Sequence, residues 1–361
     1  MELCVSPDSG GLELYMVRAA LYLERKTEVI SVINKKGKLS SYYGENSKVV
    51  LMDQPTLFSS FFEAKKLAKI IDTHAIDIVH VHWTKDLPLA VLAKQFAKHK
   101  PLLAQTRNMT MTRYKNDVYH RWLYKNIDLM LPVTYQVKEQ LEKFIPSEIR
   151  PKIQMLYMGA EIPTSIDEEQ KQALRSAYGL KTKFTVGIVG RIKKEKGQYL
   201  VIEAVEKLLR KGYDVQALIV GHAMSENYLQ ELQEDVVKAN LQEHVIFTGF
   251  TKEAQKLMQL CDCLVLATER ETFGLVLIEA MACGICVLGT NNAGPLEIID
   301  DNETGLLFEK NSSESMAQKI EKLLQDASFK ERLAAAGQKK AHEKFDAAKQ
   351  FEKLYEIFEN L

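Results

Sequence analysis

Short apolar runs alternate along the chain with longer segments in which apolar residues return every three or four positions. A short run between turn residues marks a buried strand, and the three-and-four spacing marks a helix with one face on a core. In the first half, residues 3–5, 28–33, 49–52, 77–83, 101–106, 128–133 and 153–158 predict strands, and 12–24, 57–73 and 87–98 predict helices. In the second half, 184–189, 215–220, 245–248, 264–267 and 285–288 predict strands, with helices at 198–210 and 275–282. Strands of this kind, separated by helices, pair in parallel with both faces covered, so the expected class is α/β.

The pattern fails at Ile162-Pro163-Thr164-Ser165-Ile166-Asp167, where Pro and small polar residues suit neither period. That stretch is the expected linker, giving domains at 1–163 and 164–345 in a chain of 361 residues. A last stripe, Phe351, Leu354, Tyr355, Phe358 and Leu361, predicts an amphipathic helix at 346–361.

Composition removes several function classes. Lys+Arg and Asp+Glu both number 48, so overall charge gives no case for a nucleic-acid partner. No run of about 18 apolar residues occurs, so no membrane-spanning helix is expected. The five cysteines, an odd number without a recognisable secretory leader, suggest reduced thiols and a cytoplasmic setting. Cys283 and Cys286 form a C-x-x-C, but Cys263 and Cys286 each open an apolar run, and small buried hydrophobes account for both.

One unit carries the densest chemistry. Residues 264–288 read LVLATERETFGLVLIEAMACGICVL, a strand, a polar loop, a helix and a second strand. In parallel sheets ligands gather at the carboxyl ends of strands, where this loop lies. Glu271 precedes the helix, and Glu279 sits inside it among apolar residues. A carboxylate accepts hydrogen bonds and donates none, which suits sugar and ribose hydroxyls. Phe273, Gly274 and Leu275 open the helix, whose free N–H groups suit a phosphate. The spacing equally fits a solvated Glu271 and a water-facing Glu279.

Other loops at strand ends add candidates. Residues 190–197 read GRIKKEKG, placing Arg191 and Lys196 beside a helix start, although neither a P-loop nor a dinucleotide fingerprint is present. Arg grips a diphosphate bidentately, and Lys adds a point charge. Gly10 and Gly11 lie between the first strand and the first helix, where backbone can approach a ligand closely. His80 and His82 share one face of a strand, but no third metal ligand is apparent. From Lys94 to Asp128 the chain is basic and interleaved with Tyr114, Tyr119, Trp122 and Tyr124, which suits an anionic membrane surface or glycolipid and also single-stranded nucleic acid. A solvated helix face with its aromatics turned inward fits the same residues.

The phrase E-T-F-G-L-V-L-I-E followed by A-M-A-C-G resembles the E-x7-E motif of the retaining GT-B glycosyltransferases of family 4. Glycine loop P-D-S-G-G-L-E, G-R-x4-K-G at 190–197 and D-N-E-T-G-L-L at 301–307 match further motifs of that family. The resemblance spans nearly the whole chain and is densest from Gly187 onward. It implies two Rossmann-like domains facing a cleft, the first taking the acceptor and the second the nucleotide sugar, with the C-terminal helix crossing back to the first. It further implies that Arg191 and Lys196 bind the donor diphosphate, Glu271 contacts the donor sugar and Glu279 holds the ribose. Gly221 and Phe250 would border the base, and Gly10 and Gly11 the phosphates and acceptor.

His82, nearer the carboxyl end of its strand than His80, is the family-like candidate near the acceptor. The chain departs from the family where relatives place a His after the next strand; Arg107 or Asn108 stands there and would bind a phosphate or hydroxyl of an unusual acceptor. The resemblance implies glycosyl transfer from a nucleotide-diphosphate sugar to a saccharide or glycolipid in cell-surface polysaccharide or lipopolysaccharide synthesis. No metal and no other cofactor is expected. The expected location is the cytoplasm, with peripheral contact to the inner face of the membrane. Two alternatives stand beside it: a nucleotide-sugar epimerase of the same fold, and a non-catalytic protein binding an anionic polymer.

Overall fold

The structure, a computed structural model, describes every residue except Ser9, Leu57, Phe58 and Thr182. Ser9 of the glycine loop and the first two residues of the helix expected at 57–73 therefore lie outside the described residues. The chain divides into two compact units, Met1–Met158 with Ala348–Leu361, and Gly159–Ala347.

The first unit holds a seven-stranded sheet of β1 (Glu2–Cys4), β2 (Ile30–Asn34), β3 (Lys48–Met52), β4 (Ile78–Val81), β5 (Leu102–Arg107), β6 (Leu129–Pro132) and β7 (Lys152–Ile153). The strand order is β3-β2-β1-β4-β5-β6-β7, and every pair is parallel. The last strand is shorter than the sequence pattern suggests. Helix Ala347–Glu359 packs on this unit, with Phe351 against Tyr15 and Tyr22 and the Phe358 ring 5.1 Å from His80.

The second unit holds six strands, β8 (Phe184–Val189), β9 (Val215–Val220), β10 (Val245–Phe247), β11 (Cys263–Leu266), β12 (Cys286–Thr290) and β13 (Leu306–Phe308). Their order is β10-β9-β8-β11-β12-β13, again parallel throughout. Along β9, Ala217 and Ile219 enter one core, while Leu218 and Val220 enter another with Leu257 and Leu260. Side chains alternate faces, so a strand apolar at every position needs a cover on both. Both units thus have the expected Rossmann-like α/β form.

In each sheet the chain winds one way from the central strand and then the other, so two neighbouring loops leave the carboxyl edge in opposite directions. The crossover lies between β1 and β4 in the first unit and between β8 and β11 in the second. Cys263 and Cys286 are register partners on β11 and β12, buried, and all five cysteines are free. Burial pushes Cys286 up to about 12, which leaves it a neutral, small apolar side chain.

Candidate functional site

At the β8/β11 crossover the two loops are fitted together by backbone. Gly197 closes the first loop at φ +76°, and a Cβ there would stand 2.6 Å from the Ala267 carbonyl oxygen, so only glycine lets the loops meet. The Glu269 N–H donates to the Glu195 carbonyl at 2.9 Å, and Gln198 Nε2 donates to the Arg191 carbonyl at 3.1 Å. This brings Lys196 Nζ to 3.2 Å from Glu271 Oε2, with the two side chains 34% and 22% exposed. Arg191 stands exposed on the same loop. The loop therefore carries the Lys196–Glu271 pair, a Lys193–Glu195 pair at 3.5 Å, and Arg191 and Lys194 exposed to solvent.

Gly274 is at φ +110° where helix Leu275–Ala282 begins, and a Cβ there would lie 2.9 Å from a Leu266 methyl. That conformation turns the chain abruptly from loop to helix, aiming the first helical N–H groups out of the sheet edge. The Gly294 N–H donates to the Glu271 carbonyl at 2.9 Å and holds that residue's backbone. Glu279 is half-buried within the helix, and Leu275 is half-buried at its start. The Phe273 ring turns inward against Phe345. At the neighbouring corner, Gly221 bridges to Gly249, and Phe250 is 72% exposed with His222 beside its ring. The sequence-chosen residues of this unit are thus gathered along one sheet edge.

The β1/β4 crossover is built differently. Asp86 is fully buried, and its Oδ2 accepts the Val5 N–H at 2.7 Å while its Oδ1 has no partner. Burial raises its carboxyl to about 7 against the opposing pull of that N–H. Asn34 Nδ2 donates to the Val5 carbonyl at 2.9 Å. Glu13 accepts from Ser6 Oγ at 2.6 Å and from the Gly10 N–H at 2.9 Å, shaping the glycine loop from inside. Gly10 is half-buried, and Gly11 is exposed where helix Gly11–Leu23 starts. Sequence reasoning missed Asp86 and did not single out Glu13. The available signals were an acidic residue just before Leu-Pro at a helix start, and a Glu three places after Gly10, as in a capping box.

Three expectations for this unit are corrected. Arg107 is not a free anion ligand: it is 6% exposed, and its guanidinium donates to the Met109 carbonyl at 2.8 Å, Thr84 Oγ1 at 2.9 Å and the Thr110 carbonyl at 3.3 Å. His82 is not accessible; both it and His80 are at zero exposure. A third ligating group does exist beside the two histidines. Glu2, on the adjacent β1, places Oε2 at 2.9 Å from His80 Nδ1 and 2.5 Å from His82 Nε2. Burial and the nearby His80 push the His82 ring down to about 4. Burial alone would raise the Glu2 carboxyl, but the two rings hold it well below the usual range.

The basic segment is partly spent on internal contacts. Lys94 pairs with Asp128 at 2.6 Å, Arg121 with Glu148 at 3.3 Å, and Tyr124 is buried. Met109, Tyr114, Val118 and Tyr119 remain exposed. A second exposed group, unseen in the sequence, joins Phe61 and Phe62 of helix Ser60–Thr73 with Phe96, and Lys65 Nζ lies 4.4 Å from the Phe61 ring centre.

Comparison with known proteins agrees with this geometry. Residues 9–161 match the model of glycosyltransferase family 4, and residues 170–340 match that of the group 1 glycosyl transferases. The capsular polysaccharide biosynthesis glycosyltransferase CapM of Staphylococcus aureus is 27% identical over 93% of this chain and 92% of its own length. A Campylobacter jejuni N-acetylgalactosaminyltransferase, whose named substrate is a diphospho-undecaprenol, is 29% identical over 73% of this chain and 72% of its own. In fold, the chain superposes on Anabaena HepE, solved with UDP and glucose, with a TM-score of 0.85 over 100% of this chain and 99% of that one at 22% identity.

Proposed function

The chain belongs to the group 1, family 4 glycosyltransferases, and we propose that it moves a sugar from a nucleotide-diphosphate donor to a saccharide or glycolipid acceptor, with retention, in cell-surface polysaccharide or lipopolysaccharide synthesis. The observation that carries the donor half is the Lys196–Glu271 pair at the β8/β11 crossover. An ion pair exposed to this degree is worth little, so it is easily exchanged. When a diphosphate arrives, Lys196 turns to it and frees Glu271 to accept hydrogen bonds from the donor sugar. Arg191 grips the diphosphate from the other side, and the N–H groups opening helix Leu275–Ala282 complete the cradle. Glu279 accepts from the ribose hydroxyls, and the Gly221–Phe250 corner borders the base.

In the transfer, the bond between the anomeric carbon and the phosphate oxygen breaks and its electron pair leaves with the diphosphate. The acceptor oxygen bonds to the anomeric carbon, and its proton passes to the departing diphosphate. Charge grows on that leaving group, where Arg191, Lys196 and the helix N–H groups stabilise it, so no metal is assigned to the step. The acceptor belongs to the first unit, at the Gly10-Gly11 loop. His82 is left out of the reacting set because it is enclosed.

The Campylobacter relative's lipid-linked substrate and the capsular role in the Staphylococcus relative's name support a glycolipid or polysaccharide acceptor. Phe61, Phe62 and Phe96 form an exposed aromatic group with Lys65 beside it, and we assign them the peripheral contact rather than the partly paired basic segment. Thermal stabilisation by a panel of nucleotide sugars tests the donor assignment. A diphosphate should raise Tm where the matching nucleoside does not. Equal shifts from both would overturn the diphosphate cradle.

A further inference from the structure

The buried Glu2, His80 and His82 have no part in the transfer described above; Glu2 and His80 line a cavity of about 400 Å³ at the amino-terminal edge of β1, β2 and β4, and His82 touches Glu2 from the far side of that wall. That edge is opposite the one that carries the glycine loop. Among the described residues, these are the one group of three whose ligating atoms all lie within 4.8 Å of one another. We propose that Glu2, His80 and His82 form a two-histidine, one-carboxylate site for a divalent transition metal such as Zn²⁺, entered through this cavity and joining β1 to β4 beneath the C-terminal helix. The site is independent of the donor reading.

The donor set fits the ion. Imidazole nitrogens and a carboxylate bind Zn²⁺ at about 2.0–2.2 Å, which spaces tetrahedral ligand atoms roughly 3.3 Å apart. Here two ring nitrogens already converge on one carboxylate oxygen, at 2.9 and 2.5 Å, so a cation has to part them by less than about 1 Å.

Each ring can also offer the required nitrogen while staying neutral. His80 Nε2 lies 2.8 Å from Thr106 Oγ1; with Nδ1 on a metal, the ring's proton moves to Nε2 and is donated to that hydroxyl. His82 Nδ1 is buried and has no hydrogen-bond partner. When Nε2 takes the metal the ring's proton moves to Nδ1, an unsatisfied donor whose cost the metal bond offsets.

Electrostatics and access point the same way. A carboxylate in the interior is costly unless opposite charge lies against it, and a divalent ion supplies that charge directly. Glu2 and His80 are on the wall of the cavity, and Glu28, Asp77 and Glu359 line it as well, giving a cation an acidic entry. The Phe358 ring, 5.1 Å from His80, caps the same wall.

The test uses the full-length protein, stripped with EDTA and dialysed. Adding Zn²⁺ should raise its Tm, and after a second dialysis one zinc per chain should remain by elemental analysis. Co²⁺ in place of Zn²⁺ should give a visible absorption band from an imidazole-bound ion. Glu2→Gln, which preserves shape and an acceptor oxygen, should weaken retention at least about tenfold, and His80→Asn likewise. UDP affinity of the wild type should be equal with and without Zn²⁺. If the stripped wild type keeps no zinc and its Tm does not move, the proposal fails, and this result does not depend on any variant folding. It also fails if Glu2→Gln retains zinc as the wild type does.

Discussion

At the β8/β11 crossover Arg191, Lys196 and Glu271 reach solvent, whereas in the first unit Asp86 and Glu13 at β1/β4, and Arg107 at the end of β5, turn inward and bond to the chain's own backbone or side chains. The two sheets share a strand order around these points, and both place loops at the carboxyl edge. In the second unit the polar groups stay at the surface, where the proposed donor would meet them. In the first they hold the shape of the loops and leave recognition to backbone and to whatever surface the loops present. A shared topology thus fixes where a site lies, while the partners of each polar side chain decide whether it binds or supports.

The largest effect that sharpens this contrast comes from Arg191→Ala or Lys196→Ala. Each would remove the charged hydrogen bond proposed to the diphosphate, worth about 1.5–3 kcal/mol, so calorimetric affinity for whichever nucleoside diphosphate stabilises the protein should fall roughly 10- to 100-fold while affinity for its nucleoside barely changes. Loss of affinity for both ligands would mean that the loop is structural, like its counterpart in the first unit.

Arg107→Ala should do the reverse. It strips the hydrogen bonds from the Met109 and Thr110 carbonyls and from Thr84, at a cost of about 1–3 kcal/mol in urea unfolding of the first unit, with affinity for the stabilising nucleoside diphosphate intact. A strong loss of acceptor turnover at unchanged stability would show that Arg107 contacts substrate after all.

Within the second unit, Glu279→Gln should weaken the free nucleotide, and Glu271→Gln should spare it and impair transfer. Titration calorimetry beside a turnover assay separates them. The opposite result would exchange their roles.

Asp86 gives a pH test of burial. Its carboxyl in the folded chain, raised to about 7, lies above its unfolded value near 4. Its contribution to stability is therefore full below the unfolded value and is lost as pH rises through 7. Asp86→Asn, which still offers an oxygen to the Val5 N–H, should narrow the difference between the Tm at pH 5 and at pH 8. An unchanged difference would mean that Asp86 ionises freely.

The smallest expected effect is at the surface. Phe61→Ser with Phe62→Ser should reduce sedimentation with anionic vesicles, and added salt should reduce what remains, because each surface cation contributes about 1 kcal/mol. Wild-type protein that ignores such vesicles at low salt would point to a soluble acceptor.

Periodicity alone carried the α/β class and most elements: 184–189, 198–210 and 215–220 coincide with Phe184–Val189, Gln198–Arg210 and Val215–Val220. This follows because an apolar strand and an amphipathic helix are local patterns, written within a dozen residues. The places of the loop at 190–197 and of the Glu271 loop at the strand ends were also legible, since their candidate residues lie close in sequence and keep their side chains outward. What only the tertiary structure decided is partnership across strands. Glu2 stands 78 positions from His80 and meets it because β1 and β4 are neighbours in register. Asp86 reaches Val5 by the same crossover, and Arg107 folds back on Thr84 from the next strand. In the chain's order these side chains look like free chemistry. Burial, which depends on what packs above them, obliges them to find partners within the fold.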